Sequence, residues 1–177
     1  VENERVQYYN TGNNLGGAGG FQYGIKEAVK KKYSHIWIMD DDTIPSSTAL
    51  EELINADILL KNDYGFLCSD VRWSDGTPCV MNVPNVSNQW VKGTDILQHG
   101  ILRVEQCSFV SCFFPSEIVK AVGLPIKEFF VWGDDAEYTK RISNYMPGYF
   151  VSKSIVTHKM KSNIPTDISK DSVDRLF

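Results

Sequence analysis

Ile36-Trp37-Ile38-Met39, followed at once by Asp40-Asp41-Asp42, is the stretch that decides the fold. A continuous apolar run of this kind reads as a strand buried on both faces, as in a parallel sheet. The acids then stand at the carboxyl end of the strand, where open α/β sheets bind their ligands. Side chains alternate along a strand, so Asp40 and Asp42 face one way and Asp41 the other. Three neighbouring carboxylates repel one another, and a hard divalent cation relieves that repulsion. One reading is therefore a Mg²⁺ or Mn²⁺ site that holds a phosphorylated ligand. The other is a solvated acidic turn closed by Pro45.

Working outward, Val6-Gln7-Tyr8-Tyr9 reads as a short strand and residues 10–20 as a loop of Gly and Asn. Phe21, Ile25, Ala28 and Val29 recur at helical spacing and end in Lys30-Lys31-Lys32. With the central strand these segments make a βαβ unit, whose crossover is expected to be right-handed. Thr48 and Glu51 form a capping-box pattern, and Leu50, Leu53, Ile54 and Ile58 mark the buried stripe of the next helix. Phe66-Leu67-Cys68 reads as a strand, Asp75-Gly76 as a hairpin turn, and residues 84–93 as a polar loop. Residues 104–114 are apolar and extended. Residues 116–122 form a short helix stopped by Gly123 and Pro125. A further helix follows Trp132-Gly133-Asp134-Asp135, and extended segments at 149–151 and 154–157 lead to His158.

The chain has 177 residues, 42% hydrophobic and 23% charged, which suits one soluble domain with a real core. A net charge of −4 gives no footprint for nucleic acid. No apolar stretch is long enough to span a membrane and no signal peptide opens the chain. Cys68, Cys79, Cys107 and Cys112 include no Cys-x-x-Cys pair, so zinc is not indicated. The odd separation of Cys107 and Cys112 points them to opposite faces of an extended segment. Buried reduced thiols suit a cytoplasmic compartment.

Three further groups carry candidate chemistry. Asn14-Leu15-Gly16-Gly17-Ala18-Gly19-Gly20 precedes a helix and can offer backbone N–H groups to a phosphate. It is neither a Walker A loop nor Gly-x-Gly-x-x-Gly, and a tight turn for close packing explains it equally. In Trp132-Gly133-Asp134-Asp135-Ala136-Glu137 a carboxylate beside an aromatic can act as a general base, or Asp134 can cap the helix with Glu137 as its partner. His158 closes a β-segment, and a neutral imidazole can complete an oxygen-rich metal site.

Taken in order, the Gly loop, Asp40-Asp41-Asp42, Gly123-Leu124-Pro125, the segment from Phe129 to Tyr138 and His158 resemble a family 2 glycosyltransferase. The nearest subgroup in pattern is the galactofuranosyl- and rhamnosyltransferases of bacterial surface polysaccharides. The resemblance implies a GT-A fold, α/β with a mostly parallel sheet flanked by helices. It implies a donor site at Asn14, Gly16, Gly17, Gly19, Asp40 and Asp41, and a Mn²⁺ or Mg²⁺ site at Asp40, Asp42 and His158. It makes Asp135 the base that deprotonates the acceptor hydroxyl, with Trp132 and Asp134 on the acceptor. Asp134 stands where the family pattern has Glu. The implied donor is a UDP- or dTDP-linked sugar, and the implied acceptor a saccharide or lipid-linked saccharide. The implied place is the cytoplasm, at the inner face of the membrane. Family members begin with a strand–helix–strand unit for the nucleobase that has no counterpart ahead of Val6. Residues 1–160 are thus expected to form a partial domain, truncated at both ends, and 161–177 the start of a helical extension. Such a fragment is expected to bind donor poorly, to be inactive alone and to self-associate. The rival readings are a nucleotidyltransferase, which wants basic residues in the Gly loop, and a non-catalytic carbohydrate-binding domain.

Overall fold

The structure, a computed structural model, describes residues 5–164. Its centre is one sheet containing β1 (His35–Ile38), β2 (Thr43–Pro45), β3 (Phe66–Trp73), β4 (Asn85–Val86), β5 (Ile101–Gln106), β6 (Cys112–Pro115) and β7 (Gly148–His158). The strand order is β1-β6-β3-β7-β5-β4, with β2 pairing on β7. The helices are α1 (Gly16–Lys30), α2 (Ala49–Leu60), α3 (Ser116–Val122) and α4 (Asp134–Tyr145).

Alternation along the strands fills two layers. On one face Ile36, Ile38, Phe66, Cys68 and Phe114 pack with Ile25 of α1, Ile118 of α3, and Tyr138 and Ile142 of α4. On the other, Leu67, Phe113, Tyr149 and Val151 pack with Leu53 and Ala56 of α2. This is the expected α/β architecture of a sheet between helices. The expected pairing direction is corrected. Among the described residues only β3 and β7 run parallel, and the other pairs are antiparallel. An apolar run records burial on both faces but not the direction of its neighbours, so the sequence pattern could not distinguish the two.

Several local expectations shift for identifiable reasons. Residues 6–9 form no strand, and Val6 and Tyr8 are exposed. Tyr9 instead meets the edge of Tyr23 on α1 and lies under the Lys31 ammonium. The βαβ unit is therefore not closed within the described residues. In α2, Leu53 is buried with Ala49 and Ala56, while Leu50, Ile54 and Ile58 face outward. The small alanines let that side of the helix approach the sheet. Thr48 precedes α2 without a side-chain cap, so the capping box does not form. Residues 104–114 break after β5, turn through a short 3₁₀ segment (Phe109–Ser111) and resume as β6. That break brings the Cys107 thiol to Cys112 and Cys68 rather than to the opposite face. All four cysteines are reduced and buried. The Asp75-Gly76 turn is present, with Gly76 at φ +85° and its N–H on the Trp73 carbonyl. The helix start expected after residue 170 lies outside the described residues.

Two features position the site. First, β7 bulges opposite β3: Ser69 pairs with Val151, but Asp70 pairs with Ile155. Buried hydroxyls fill the irregularity, with Ser69 Oγ 2.7 Å from both Ser111 Oγ and Ser154 Oγ. The shifted register sets His158 opposite Trp73 of β3, and pairing with β2 sets it opposite Thr43. Second, the Gly loop begins α1 five residues earlier than the apolar spacing indicates. Gly16 has φ +66°, and a Cβ there would lie 2.2 Å from the Phe130 carbonyl oxygen. Ala18 N–H donates to that same oxygen at 3.0 Å. Phe130 is itself at φ +61° in a tight turn, with Val131 N–H on the Phe129 carbonyl at 2.7 Å. The glycine thus lets the Gly loop dock on the segment that leads to Asp134 and Asp135.

Gly16→Ala should accordingly destabilise the protein by at least ~2 kcal/mol, from left-handed backbone strain plus displacement of a backbone carbonyl. Thermal melts should fall by roughly 4–8 °C. An unchanged melting temperature would mean that the Gly16–Phe130 approach is not a fixed feature of the fold.

Candidate active site

Asp40 lies just past β1, Asp41 and Asp42 make a turn, and Thr43 opens β2. The turn is fixed by Thr43 N–H donating to the Asp40 carbonyl at 3.2 Å and by Lys159 N–H donating to the Asp42 carbonyl at 3.1 Å. These bonds join the acid turn to the end of β7, and the β2–β7 pairing places His158 beside it. His158 Nε2 lies 3.0 Å from Asp42 Oδ1 and 3.9 Å from Asp40 Oδ2. One donor atom from each residue falls within 4.8 Å of the others. The two histidine separations are close to those between ligands of an octahedral ion, about 3 Å for adjacent and about 4 Å for opposite ones, so these three residues could hold a divalent cation. Among the described residues this is the one His/Cys/Asp/Glu group with such spacing. Asp41 is exposed.

Burial raises the Asp40 carboxyl; His158 opposes that shift, and the charges of Asp42, Asp135 and Asp41 add to it. The acids therefore repel across a single site, and Asp135 belongs to the same field as the turn. Among the described residues the acids that feel one another come from positions nearly a hundred residues apart, joined by β1 and the start of α4.

Gly133, at φ +87°, is the N-cap of α4 and Asp134 its first residue. This corrects the reading of Asp134 as the cap. Glu137 is not a capping partner either: its carboxylate takes both Arg141 Nε and Nη2 at 2.7 Å. Arg141 also holds the carbonyls of Val122 and Leu124, tying α4 to the end of α3. Glu137 and Arg141 are thus used in packing.

Asp134 is buried, 5% exposed. Burial, with the Asp135 charge next, pushes its carboxyl up to about 6. Asp135 is also raised by burial, while the backbone N–H groups of Ala136, Asp135 and Phe109 pull it back. Its Oδ1 accepts from Ala136 N–H at 2.6 Å. The two carboxylates differ in what they face. Asp135 lines a cavity of about 290 Å³ together with Trp132, Asn82, Asn85, Gln106 and Ser108, and Asp134 is not part of its wall. A larger cavity, about 950 Å³, opens between Tyr33, His35, Lys120 and Tyr145. It lies at the beginning of β1, away from the acids at its end, so chemistry rather than size selects the smaller one.

A raised carboxyl favours the neutral form in the folded state. The stability it provides is complete below about pH 4 and is lost as pH rises through about 6. Asp134→Asn, which cannot ionise, should therefore melt higher than the parent at pH 7.5, by at most about 3 kcal/mol for two pK units. At pH 4 the two should coincide. Metal-free melts at both pH values check this, and equal differences at both would show that Asp134 is not held in this way.

Of the residues singled out by sequence, Asp40, Asp42 and His158 converge, and Asp135 and Trp132 share a cavity beside them. In the Gly loop, Asn14 Oδ1 takes the Gly16 N–H at 3.0 Å and Ala18 N–H is spent on Phe130. Gly16 and Gly19 both serve close packing, the latter under Leu15. Sequence reasoning missed Asn82, whose side chain bonds His158 at 2.9 Å. A single Asn in an irregular stretch carries no periodic or motif signal.

Residues 2–80 match the family model for glycosyl transferase family 2. The chain is 27% identical over 151 residues to galactofuranosyltransferase GlfT1 of Mycolicibacterium smegmatis, across 76% of this chain and 47% of that protein. It thus spans about half the length of the curated relative it matches. Its fold is similar to the crystal structure of GalNAc-T7 with UDP, GalNAc and Mn²⁺, at a TM-score of 0.66 and 13% identity. That match covers 86% of this chain and 32% of the other. Residues 2–80 thus resemble glycosyl transferase family 2, and the fold is that of a GT-A glycosyltransferase.

Proposed function

We propose that the site carries out inverting transfer of a sugar from a nucleotide-diphosphate donor to a hydroxyl of a saccharide or lipid-linked acceptor. The observation that carries this reading is the meeting of Asp40, Asp42 and His158 beside a cavity lined by Asp135. Asp40, Asp42 and His158 hold Mn²⁺ or Mg²⁺, which when bound supplies Lewis-acid neutralisation of the diphosphate leaving group. The two carboxylates would offset much of its charge. The start of α1, with Asn14, Gly16, Gly17 and Gly19, and the exposed Asp41 face the donor side.

Asp135 accepts the proton of the acceptor hydroxyl as that oxygen bonds to the anomeric carbon. The bond from the anomeric carbon to the phosphate oxygen breaks, and its electron pair leaves on the diphosphate. One displacement inverts the anomeric configuration and needs no covalent enzyme intermediate. Trp132 offers an aromatic face to a sugar ring, and Asn85, Gln106 and Ser108 offer neutral hydrogen-bonding groups to its hydroxyls. Asp134 lies behind this wall, its carboxyl raised by burial and by the Asp135 charge.

The relative's name supports a galactofuranosyl-type donor. The UDP and Mn²⁺ of the similar GalNAc-T7 structure support a UDP-sugar donor over a dTDP-sugar. Synthesis of cell-surface polysaccharide by a rhamnosyl- or galactofuranosyltransferase is the role proposed on this basis. No described helix is long and apolar enough to cross a membrane, which is compatible with work at the inner membrane face.

The test is a panel of nucleotide sugars offered with saccharide acceptors, with Mn²⁺, Mg²⁺ or a chelator. Release of nucleoside diphosphate should need both metal and acceptor. Turnover unaffected by chelation, or release of pyrophosphate instead, would contradict the reading, the latter in favour of nucleotidyl transfer.

A further inference from the structure

We infer that Asn82 is a positioning residue for the metal site: it holds His158 so that Nε2 presents its lone pair beside Asp40 and Asp42. The inference rests on the metal-site reading above and assigns a role to a residue outside the donor set. His158 is 5% exposed and Asn82 likewise 5%. His158 Nδ1 lies 2.9 Å from Asn82 Oδ1. The amide has two other partners. Cys79 Sγ donates to the same Oδ1 at 3.0 Å, and Asn82 Nδ2 donates to Ser108 Oγ at 2.9 Å. An amide oxygen has no hydrogen to give and can only accept from the imidazole, so Nδ1 carries the proton. With Nδ1–H used in this way, the other ring nitrogen is the one left to bind a cation. The second hydrogen bond of a ligating imidazole commonly fixes its tautomer and its orientation in this manner.

The same three residues explain why an irregular segment sits there. Cys79 is fully buried, and its N–H donates to the Val71 carbonyl of β3 at 2.9 Å. The 3₁₀ turn Val80–Asn82 then carries the amide inward, with Asn82 N–H on the Cys79 carbonyl at 3.0 Å. Asn82 and Ser108 also line the cavity that contains Asp135. The side chain that orients the imidazole is therefore part of the wall that receives the acceptor.

The test compares the chain with Asn82→Leu and Asn82→Asp. Leu has similar volume but cannot accept from Nδ1, whereas Asp can. Mn²⁺ affinity is read by electron paramagnetic resonance titration. Electron spin-echo modulation reports nitrogen coordination, and ¹⁵N NMR of the Mg²⁺-loaded chain reports the Nδ1–H signal. Asn82→Leu should weaken Mn²⁺ binding by roughly 10–100-fold and lose the Nδ1–H signal. Asn82→Asp should bind Mn²⁺ at least as well as the parent and keep that signal, an outcome a purely structural role for Asn82 does not give. If the parent binds Mn²⁺ and both variants bind equally well, or both fall together, the positioning role is wrong. A parent that binds no Mn²⁺ would overturn the metal-site reading itself, and the inference with it.

Discussion

Asp135→Asn is expected to reduce turnover by roughly 10²–10⁴-fold, the usual contribution of a general base. The substitution keeps the shape of the side chain and removes the proton acceptor. Donor and metal binding should survive, because neither depends on that carboxylate. Geometry, rather than proton affinity, selects Asp135 over its neighbour. The Asp134 carboxyl, held at about 6, is well poised for proton transfer. It is buried behind the cavity wall, however, while Asp135 lines the cavity. Asp134→Asn should therefore leave turnover within about tenfold of the parent, below the usual contribution of a general base. Since burial raises Asp135, the parent's rate should rise as pH climbs through that raised value. The Asp135→Asn variant should lose this limb. The reverse ranking, with Asp134→Asn inactive and Asp135→Asn active, would move the base one residue back along α4.

Asp42→Ala should abolish metal-dependent transfer. It removes one of two carboxylates from a hard cation and leaves only one anionic ligand in the set. The variant should fold, because the groups that fix the turn are backbone: Lys159 N–H on the Asp42 carbonyl, and the Thr43–His158 pairing. The side chain itself is about half exposed, at 44%. His158→Ala should act more mildly on affinity, since it removes a neutral ligand. It also strips Asn82 Oδ1 of a buried partner, so part of its effect will be lost stability. Near-normal activity of Asp42→Ala at ordinary metal concentrations would sink the metal assignment.

The site was more legible in the sequence than the topology. The apolar run into Asp40-Asp41-Asp42 announced a strand ending in acids, and that is what β1 and its turn provide. His158 carried almost no signal alone. It acquired one only from its position after an extended segment and in the order of the other motifs. What put it 3.0 Å from Asp42 is the register of β2 on β7, while a bulge lined by Ser69, Ser111 and Ser154 shifts β7 along β3. A serine is common in loops, and nothing in its neighbours announces a bulge. Strand direction was illegible for a related reason: periodicity records which faces are buried, not which way the next strand runs. The α2 stripe was misread because Leu and Ile outweigh Ala in any apolar pattern. The sheet accepted the small side, with Ala49 and Ala56 buried and Ile58 left outside. The Gly loop reads as a candidate phosphate cradle. Its strongest demand is the carbonyl of Phe130, more than a hundred residues on.

The central claim is a metal-dependent single displacement with Asp135 as base. It is tested most directly by the anomeric configuration of the product. With an active nucleotide sugar, an acceptor saccharide and Mn²⁺, ¹H NMR of the newly formed glycoside should show the configuration opposite to that of the donor, and a chelator should prevent its formation. A product with retained configuration, or one formed equally well in the chelator, would contradict the account.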